Sequence, residues 1–353
     1  MIEAPNLQNK PKNQIRIVVA MSGGVDSSVV ACLLKEQGYD VIGVTLQLYD
    51  HGQAIQKANS CCAGADIYDA KRVAQKFNFL HYVLNYENLF KESVIDNFAD
   101  SYLRGETPIP CIECNKSVKF RDLLKMAKDL KADFLATGHY VKKIINENGE
   151  SELHKAFDEG KDQSYFLFST TNEQLDFLQF PLGSWPKEKT RAEAERLGLE
   201  IAGKPDSQDI CFVPNGDYAK VIAKHRPSAF KKGDFIHIKT GKKLGEHTGI
   251  INFTLGQRRG LGISNKDPLY VVKIEPKENI VFVGEEEFLD NHQFKIRDLN
   301  WLASDADLTK EINAKVRLRS SAIEEPATIK ILENGFAQVN LKSMTKAITP
   351  GQA

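Results

Sequence analysis

The first part of the chain alternates short apolar runs with segments whose apolar residues recur at helical spacing. The runs are rich in Val and Ile and have the length of buried parallel strands, at residues 15–20, 40–46, 79–84 and 133–137. The helical segments fall between them, with apolar residues at helical spacing over 29–34 before Gly38, and further segments at residues 65–77, 88–103 and 117–130. This alternation predicts an α/β fold with a doubly wound parallel sheet, whose ligands bind beyond the carboxyl ends of the strands.

The pattern changes after residue 140. Asn148-Gly149 predicts a hairpin turn between two short β runs, and helical segments follow at residues 163–168 and 187–197. From residue 235 onward the chain is mostly short β runs with turns, which predicts a small barrel-like β domain. We therefore expect a catalytic domain at residues 1–204, a central domain at 205–275 and a C-terminal β domain at 276–353. The turn-like end of the chain directly follows β structure, which suggests a further strand beyond it.

A glycine-rich loop, Ser22-Gly23-Gly24-Val25-Asp26-Ser27-Ser28, joins the first predicted strand to the first helix. Gly23 and Gly24 have no Cβ, so the backbone can bring its N–H groups close to a phosphate at the positive helix end. The loop has neither the lysine of G-x-x-x-x-G-K-[ST] nor the spacing of G-x-G-x-x-G. It matches instead the pyrophosphate loop of ATP pyrophosphatases, which cleave ATP between the α and β phosphates. A turn that only caps the helix is the alternative.

The carboxylate of Asp26 stands in this expected phosphate site. A bare carboxylate repels phosphate, so its presence predicts a metal ion that shares the site.

Two thiols far apart in the sequence, those of Cys114 and Cys211, are the second chemical signal. Cys111 and Cys114 form a C-x-x-C motif before the helix predicted from residue 117, where the helix end and Lys116 and Lys119 favour a thiolate at Cys114. Two incidental loop cysteines are the alternative, and no second C-x-x-C follows at zinc-ribbon spacing. Cys211 alone is equally compatible with a small buried residue. Combined with an adenylating loop, the two thiols can deliver sulfur and end as a disulfide.

Composition limits the class of protein. The 353 residues are 42% hydrophobic and 27% charged, with no membrane-length apolar run and no signal-peptide pattern. A cytosolic protein is expected, so its six cysteines are expected to be thiols, ligands or redox catalysts.

Because the formal net charge is zero, a nucleic acid would have to bind local basic clusters. Lys315, Arg317 and Arg319 are expected to alternate along one face of a strand. The other candidate clusters lie on the helix after Cys114 and in a glycine-rich loop, at Lys116, Lys119, Arg121, Lys125, Lys128, Lys131, Arg258 and Arg259. For each cluster alone, a solvated face is an equally good interpretation.

Seven motifs together resemble the bacterial tRNA-specific 2-thiouridylase family along the whole chain. They are S-G-G-V-D-S-S at 22–28, C-C-A-G at 61–64, C-N-K-x-x-K-F at 114–120, A-T-G-H-Y at 136–140, K-D-Q-S-Y-F-L at 161–167, D-S-Q-D-I-C-F at 206–212 and G-Q-R-R-G-L-G at 256–262. The resemblance implies conversion of the wobble uridine to 2-thiouridine in tRNAs for Lys, Glu and Gln. It also implies ATP, Mg²⁺, and a persulfide that sulfur-carrier proteins relay from a cysteine desulfurase.

The resemblance also implies residue roles. Cys211 would carry the persulfide and Cys114 would be the nucleophile, with Asp26 a further catalytic residue. The terminal sulfur would either attack C2 of the adenylated uridine or be released as sulfide by Cys114. ATP would be bound by Ala20, Met21, Ser22, Gly23, Gly24, Val25, Asp26, Ser27, Leu46 and Gly138. The tRNA would contact Ile109, Pro110, Cys111, His139, Lys161, Asp162, Gln163, Arg317, Leu318 and Gln352.

Cys111 departs from the family pattern, because some members have Asp there, and the role of that Asp as a base does not transfer to a thiol. One alternative is an iron–sulfur cluster held by Cys111, Cys114 and Cys211. Another is an amidotransferase or synthetase with the same loop, which would have no use for the two thiols. A third is a non-catalytic RNA-binding protein with a relic nucleotide loop.

Overall fold

The structure is a computed structural model that describes residues 7, 10–49, 64–206, 210–213, 216–303 and 306–352. Its contacts divide the chain into two compact units. The first unit comprises Met1–Val94 and Cys111–Gly216, and the second comprises Ile95–Pro110 and Asp217–Ala353. None of the helices in the described ranges is long and apolar enough to cross a membrane.

The first half of the chain supplies most of the helices. In chain order its elements are β1 (Arg16–Ala20), α1 (Val25–Glu36), β2 (Asp40–Gln47), α2 (Gly64–Lys76), β3 (Leu80–Asn85), α3 (Glu87–Phe90), α4 (Asn97–Leu103), α5 (Pro110–Glu113), α6 (Leu123–Asp129), β4 (Phe134–Ala136), β5 (Val141–Ile145), β6 (Ser151–Lys155), α7 (Asn172–Phe177), β7 (Leu178–Gln179) and α8 (Lys187–Arg196). Two π-helical segments, Lys91–Asp96 and Cys114–Asp122, precede α4 and α6.

The first unit is built on a five-stranded parallel sheet with the order β3-β2-β1-β4-β7. Its central strand β1 is apolar on both faces, and Ile17, Val18 and Val19 are completely buried. Completely burying such side chains stabilises the unit by about 1.5–3 kcal/mol each. The strand order reverses between β1 and β4, so the crevice beyond their carboxyl ends is where a ligand is expected. The predicted parallel sheet is confirmed.

The second unit is mostly β structure. Its elements after α4 are α9 (Tyr218–His225), β8 (Gly233–His237), β9 (Lys243–His247), β10 (Tyr270–Glu275), β11 (Ile280–Gly284), β12 (Asp290–Ile296), β13 (Ile312–Val316), β14 (Glu325–Ile331) and β15 (Ala337–Lys346). They form two four-stranded sheets, with the orders β10-β11-β8-β9 and β12-β15-β14-β13. All pairs are antiparallel except β8 with β11. The sequence pattern did not predict α9, β9 or β12.

Four local predictions need comment. The helix expected from residue 117 begins at Pro110, and Cys114 therefore lies inside it rather than in a preceding loop. Strand β13 ends at Val316, so the prediction of Lys315, Arg317 and Arg319 along one strand face is wrong for the two arginines. The loop predicted at residues 49–60 lies outside the described residues from residue 50 onward. The hairpin at Asn148-Gly149 is confirmed, because β5 pairs antiparallel with β6.

Candidate functional site

The glycine-rich loop lies between β1 and the first turn of α1. Gly23 has a φ of +75°, in the left-handed region that favours glycine, and a Cβ there would collide with the carbonyl oxygen of Asp66. Gly24 is the N-cap of α1 and supplies no side-chain cap. The N–H groups of the first helical turn thus form a positive end with the glycine backbone beside it. This arrangement suits a phosphate group.

The end of β4 lies directly against the same loop. A Cβ on Gly138 would stand 2.7 Å from the backbone nitrogen of Ser27 and 3.1 Å from Cβ of Asp26. The Ser27 hydroxyl accepts a hydrogen bond of 3.1 Å from the backbone N–H of Ser22, which closes the loop. Gly138 therefore joins the loop residues predicted to bind ATP, at the point where the strand order reverses.

The other predicted ATP residues belong to the strands beneath the loop. Ala20 ends β1, and the N–H of the buried Met21 donates to the carbonyl of Val44 at 2.8 Å. Leu46 is buried on β2 and pairs with Leu84 of β3. Apolar surface is thus available near the loop, but the structure leaves the roles of these three residues a prediction.

Asp26 has a cationic partner from the protein itself. Lys187 Nζ lies 2.6 Å and 2.8 Å from the two carboxylate oxygens of Asp26, and the Tyr140 hydroxyl donates to one of them at 3.0 Å. Lys187 is buried at the start of α8, directly after Pro186. Lys187 therefore offsets the negative charge of Asp26 in this structure, and the metal ion predicted beside Asp26 stays a prediction. Sequence reasoning missed Lys187, because it reads as an ordinary helix-start lysine.

A second carboxylate, Asp206, shares Lys187. Asp206 accepts from Lys187 at 2.8 Å, from Lys161 at 2.9 Å and from Arg191 at 3.2 Å. Partial burial opposes ionisation, but the hydrogen bonds from Lys187 and Lys161 prevail and hold the pKa of Asp206 at about 2. Asp206 is therefore ionised at physiological pH.

Lys204 ties the chain just before Asp206 to the loop. Its Nζ donates to the carbonyl oxygen of Gly23 at 3.0 Å and pairs with Asp66 at 2.5 Å and Asp69 at 2.8 Å. Both aspartates lie on α2, so one lysine connects the loop, α2 and the 202–206 segment.

The two candidate reactive cysteines lie on segments that contact the same short helix. Cys114 is buried and begins the π-helical segment Cys114–Asp122, which packs against α3. Cys211 is half-buried, and the ring of the next residue, Phe212, makes an edge contact with Phe90 of α3 at 5.7 Å. Both residues are thiols in the structure. Because helix-dipole effects fade after the first turn, the argument that a helix N-terminus activates Cys114 is weakened.

His139 is held in a neutral form. Its Nδ1 lies 2.9 Å from the Thr137 hydroxyl, and its ring makes an edge contact with Phe120 at 6.0 Å. Burial, with a smaller contribution from the charge of Lys119, lowers the pKa of His139 to about 3. A tRNA contact by His139 would therefore use a neutral ring.

Several residues predicted to contact tRNA already have partners within the chain. Asp162 accepts from the N–H of Ala156 at 3.0 Å and from the Ser164 hydroxyl at 2.7 Å. The side-chain oxygen of Gln163 accepts from the N–H of Tyr140 at 2.9 Å. Lys161 pairs with Asp206, as described above, so these three residues hold the site together in this structure.

In the second unit, the chain end lies beside the predicted tRNA residues Ile109 and Pro110. Gln352 donates to the carbonyl oxygen of Thr107 at 2.7 Å, and the N–H of Thr107 donates to Pro350 at 2.8 Å. Ile109 is partly exposed, and in the first unit Cys111 is exposed.

Arg317 and Leu318 follow β13. Arg317 pairs with Glu324 at 3.2 Å, and Leu318 packs against the core of the C-terminal sheet. Arg319 donates to the carbonyl of Ala347 at 2.6 Å. Roles of these residues toward tRNA stay predictions.

Comparisons with known proteins agree with this architecture. Residues 15–215 match the family described as tRNA methyl transferase HUP domain. Residues 219–285 match its PRC-barrel domain, and residues 291–353 match an aminomethyltransferase beta-barrel domain. The tRNA-specific 2-thiouridylase MnmA of Rickettsia conorii is 59% identical over 98% of this chain and 93% of its own length. That of Rickettsia bellii is 60% identical over 98% of this chain and 94% of its own.

This chain belongs to the tRNA-specific 2-thiouridylase family. The family match confirms the predicted α/β domain followed by β-barrel domains, and it supports ATP binding. The domain boundaries predicted at residues 204 and 275 stay predictions, and the β10–β11 hairpin spans residues on both sides of the second one.

Two solved structures are more distant. One is an NMN synthetase from Francisella tularensis, 16% identical over 60% of this chain and 76% of its own, with a TM-score of 0.34. The other is a 4-thiouridine synthetase in complex with RNA and bound ATP, 16% identical over 60% of this chain and 50% of its own, with a TM-score of 0.37.

Proposed function

We propose that this protein is an ATP-dependent tRNA 2-thiouridylase, which adenylates the C2 oxygen of the wobble uridine and replaces that oxygen with sulfur. The observation that carries the proposal is that one compact unit holds the glycine-rich loop and the segments of both Cys114 and Cys211. The 59% identity to a named 2-thiouridylase, over 98% of this chain, supports the proposal. An amidotransferase or synthetase would not need the two thiols.

ATP is the first substrate, and the loop fits its phosphates. Gly23 and Gly24 bring backbone N–H groups to the start of α1, and Gly138 admits a close approach from β4. Lys187 supplies a buried positive charge beside the loop. These groups would stabilise the negative charge that develops on the α phosphate as pyrophosphate leaves.

A magnesium ion also fits this site. Mg²⁺ is held by one or two carboxylates together with substrate phosphates, and Asp26 is a carboxylate at the loop. When bound, the ion would neutralise phosphate charge. Lys187 would then give up part of its interaction with Asp26.

The sulfur step uses the two thiols. In the proposed route, the terminal sulfur of a Cys211 persulfide attacks C2 of the adenylated uridine, and AMP leaves with the former C2 oxygen. The Cys114 thiolate then attacks the Cys211 sulfur and breaks its bond to the transferred sulfur. The products are 2-thiouridine and a Cys114–Cys211 disulfide, which an external thiol reductant restores. Release of sulfide by Cys114 before the attack is the second version of the step.

The iron–sulfur alternative does not fit the described residues. Within the ranges that the structure describes, no group of three or more His, Cys, Asp or Glu side chains is placed to hold a metal ion. Cys111, Cys114 and Cys211 therefore do not converge as a three-thiolate site.

The proposed partners are tRNAs for Lys, Glu and Gln, and sulfur-carrier proteins fed by a cysteine desulfurase. The relatives' name specifies tRNA as what they act on. The tRNA set and the carriers are further proposals drawn from the family resemblance.

A defined sulfur-relay assay tests this function. The Cys211→Ser variant should lose 2-thiouridine formation, measured by mass spectrometry of tRNA nucleosides, and keep transfer of AMP to tRNA. Cys32→Ala is the matched control, because burial raises the pKa of the Cys32 thiol to about 12 and makes it unreactive. Unchanged thiolation by Cys211→Ser would refute the mechanism, and tRNA binding without any turnover by the wild type would favour the relic RNA-binding protein.

A further inference from the structure

Five charged side chains form one connected group in the first unit, which we call the Asp206 cluster. It contains two carboxylates and three cations: Asp26, Asp206, Lys161, Lys187 and Arg191. Lys187 is its centre, because its buried Nζ lies within 2.8 Å of oxygens of both Asp26 and Asp206. One ammonium group thus joins the first turn after the glycine-rich loop to the segment that leads to Cys211.

The segment at residues 202–206 is fastened at three successive points. Arg191 donates to the carbonyl oxygens of Ala202 at 3.1 Å and Lys204 at 3.2 Å, as well as to Asp206. Lys204 in turn donates to the carbonyl oxygen of Gly23 in the loop at 3.0 Å. The backbone at residues 202–206 is therefore connected to the loop by two routes, one through Lys204 and one through Asp206 and Lys187.

The other side of Cys211 is held by a different kind of contact. Phe212 packs on Phe90 of α3, and the N–H of Val213 donates to the carbonyl of Ile210 in a turn. This contact is apolar and belongs to α3, which also touches the Cys114 segment. Cys211 thus lies between a charged anchor that leads to the loop and an apolar anchor that leads to the Cys114 helix.

We propose that Asp206 is a positioning residue for sulfur transfer, which acts through Lys187 to set the place of Cys211 relative to the glycine-rich loop. This inference rests on the proposed function of the loop and of Cys211, and it adds Asp206, to which neither thiol chemistry nor phosphate binding is assigned. Asp206 touches no reacting atom.

The charges of the Asp206 cluster indicate how phosphates bound at the glycine-rich loop would affect the Cys211 segment. Phosphates at the loop would attract Lys187, which Asp26 and Asp206 share in the structure described here. A rearrangement of Lys187 would change its hold on Asp206 and so on the Cys211 segment. Sulfur delivery would then depend on whether the adenylating site is occupied, which would protect the persulfide from reaction before the uridine is activated.

The test separates the two half-reactions in the full-length protein. Adenylation is measured as transfer of label from α-labelled ATP to tRNA without a sulfur donor, and sulfur transfer as 2-thiouridine formed in a single turnover from a persulfide-loaded enzyme. Asp206→Asn removes the charge at nearly constant shape. We expect adenylation within about threefold of the wild type and sulfur transfer at least about tenfold slower. Glu200→Gln is the control, because Glu200 lies close to Asp206 in sequence but forms only an exposed ion pair, with Arg72.

Two further measurements exclude a merely structural effect. The rate at which iodoacetamide alkylates Cys211 should depend on added ATP in the wild type and should lose that dependence in Asp206→Asn. If Asp206→Asn fails to fold, Arg191→Gln takes its place, because it loosens the same segment and leaves Asp206 paired with Lys187 and Lys161. It should also slow sulfur transfer more than adenylation.

Equal loss of both half-reactions, or unchanged sulfur transfer, in a folded Asp206→Asn protein would overturn the inference while the wild type still thiolates tRNA. Absence of thiolation by the wild type would instead overturn the proposed function itself.

Discussion

At the scale of single residues, the site depends on places where backbone approaches backbone. Gly138 is one such place, since a Cβ added there would press on the first turn of α1. The N–H groups of that turn are the proposed phosphate ligands. A small change at Gly138 therefore acts on the loop geometry rather than on any charged group.

We expect Gly138→Ala to weaken ATP binding at least about tenfold and to lower stability by about 1–3 kcal/mol, because the added Cβ must displace Ser27. Titration calorimetry with ATP and thermal unfolding measure the two effects. Gly245→Ala is the control, because a Cβ there meets only Phe235 at an ordinary 3.8 Å. Wild-type affinity in Gly138→Ala would show that the loop tolerates the shift.

His139 makes a pH prediction with a definite sign. The pKa of His139 is about 3 in the folded protein, against 6.5 for the ordinary side chain. Between these two pH values the unfolded chain therefore binds a proton at His139 and the folded protein does not. The contribution of neutral His139 to stability is complete above about pH 6.5 and is lost as pH falls through 3. The loss is at most about 1.4 kcal/mol per pH unit.

The free energy of unfolding, measured with urea at pH 7, 6 and 5 for the wild type and His139→Gln, checks the predicted pH dependence. We expect the stability difference between the two proteins to shrink as pH falls, because glutamine does not titrate. Parallel pH dependence of the two proteins would contradict the assignment of a neutral His139.

At the scale of elements, ion pairs attach residues 95–110 to the rest of the second unit. Arg226, which caps α9, pairs with Asp100 of α4 at 2.7 Å and with Asp96 at 2.8 Å. The rings of Tyr102 and Tyr218 stack at 5.0 Å beside them. These contacts attach residues 95–110 to elements more than a hundred positions later in the chain.

We expect Arg226→Met to destabilise α4 locally by about 1–3 kcal/mol, because two carboxylates lose a charged hydrogen-bond donor. Amide hydrogen exchange of residues 97–103 should rise accordingly. Lys220→Met is the control, since Lys220 pairs with Asp217 at the exposed start of α9 and its removal should leave the exchange of α4 unchanged. Unchanged exchange of α4 in Arg226→Met would mean that the aromatic contacts alone hold it.

The helices and strands also show which elements the local sequence pattern predicts and which it misses. The parallel strands were predictable because each is a short run of β-branched residues with helical segments between. Strands β9 and β12 were missed because they are polar and half-exposed, so their periodicity is weak. The start of the Cys114 helix was misplaced because Pro110 read as part of a loop, although proline suits a first helical turn.

At the scale of the whole molecule, the chain enters the second unit twice, at residues 95–110 and again from residue 217. The three family matches instead run consecutively along the chain. Both descriptions hold, because a family match follows sequence whereas a compact unit follows contacts. The segment at residues 95–110 thus carries a helical sequence typical of the α/β domain and packs with the β-rich unit.

The sequence by itself determined the parallel sheet, the glycine-rich loop, the hairpin and the family, because each is encoded by neighbouring residues or by motifs of a few positions. Only the tertiary structure decided that Lys187 compensates Asp26, that Asp206 shares this lysine, and that His139 is neutral. Those facts depend on side chains brought together from distant positions and on their burial. Charge pairing and desolvation are properties of that arrangement in space, and no local pattern records them.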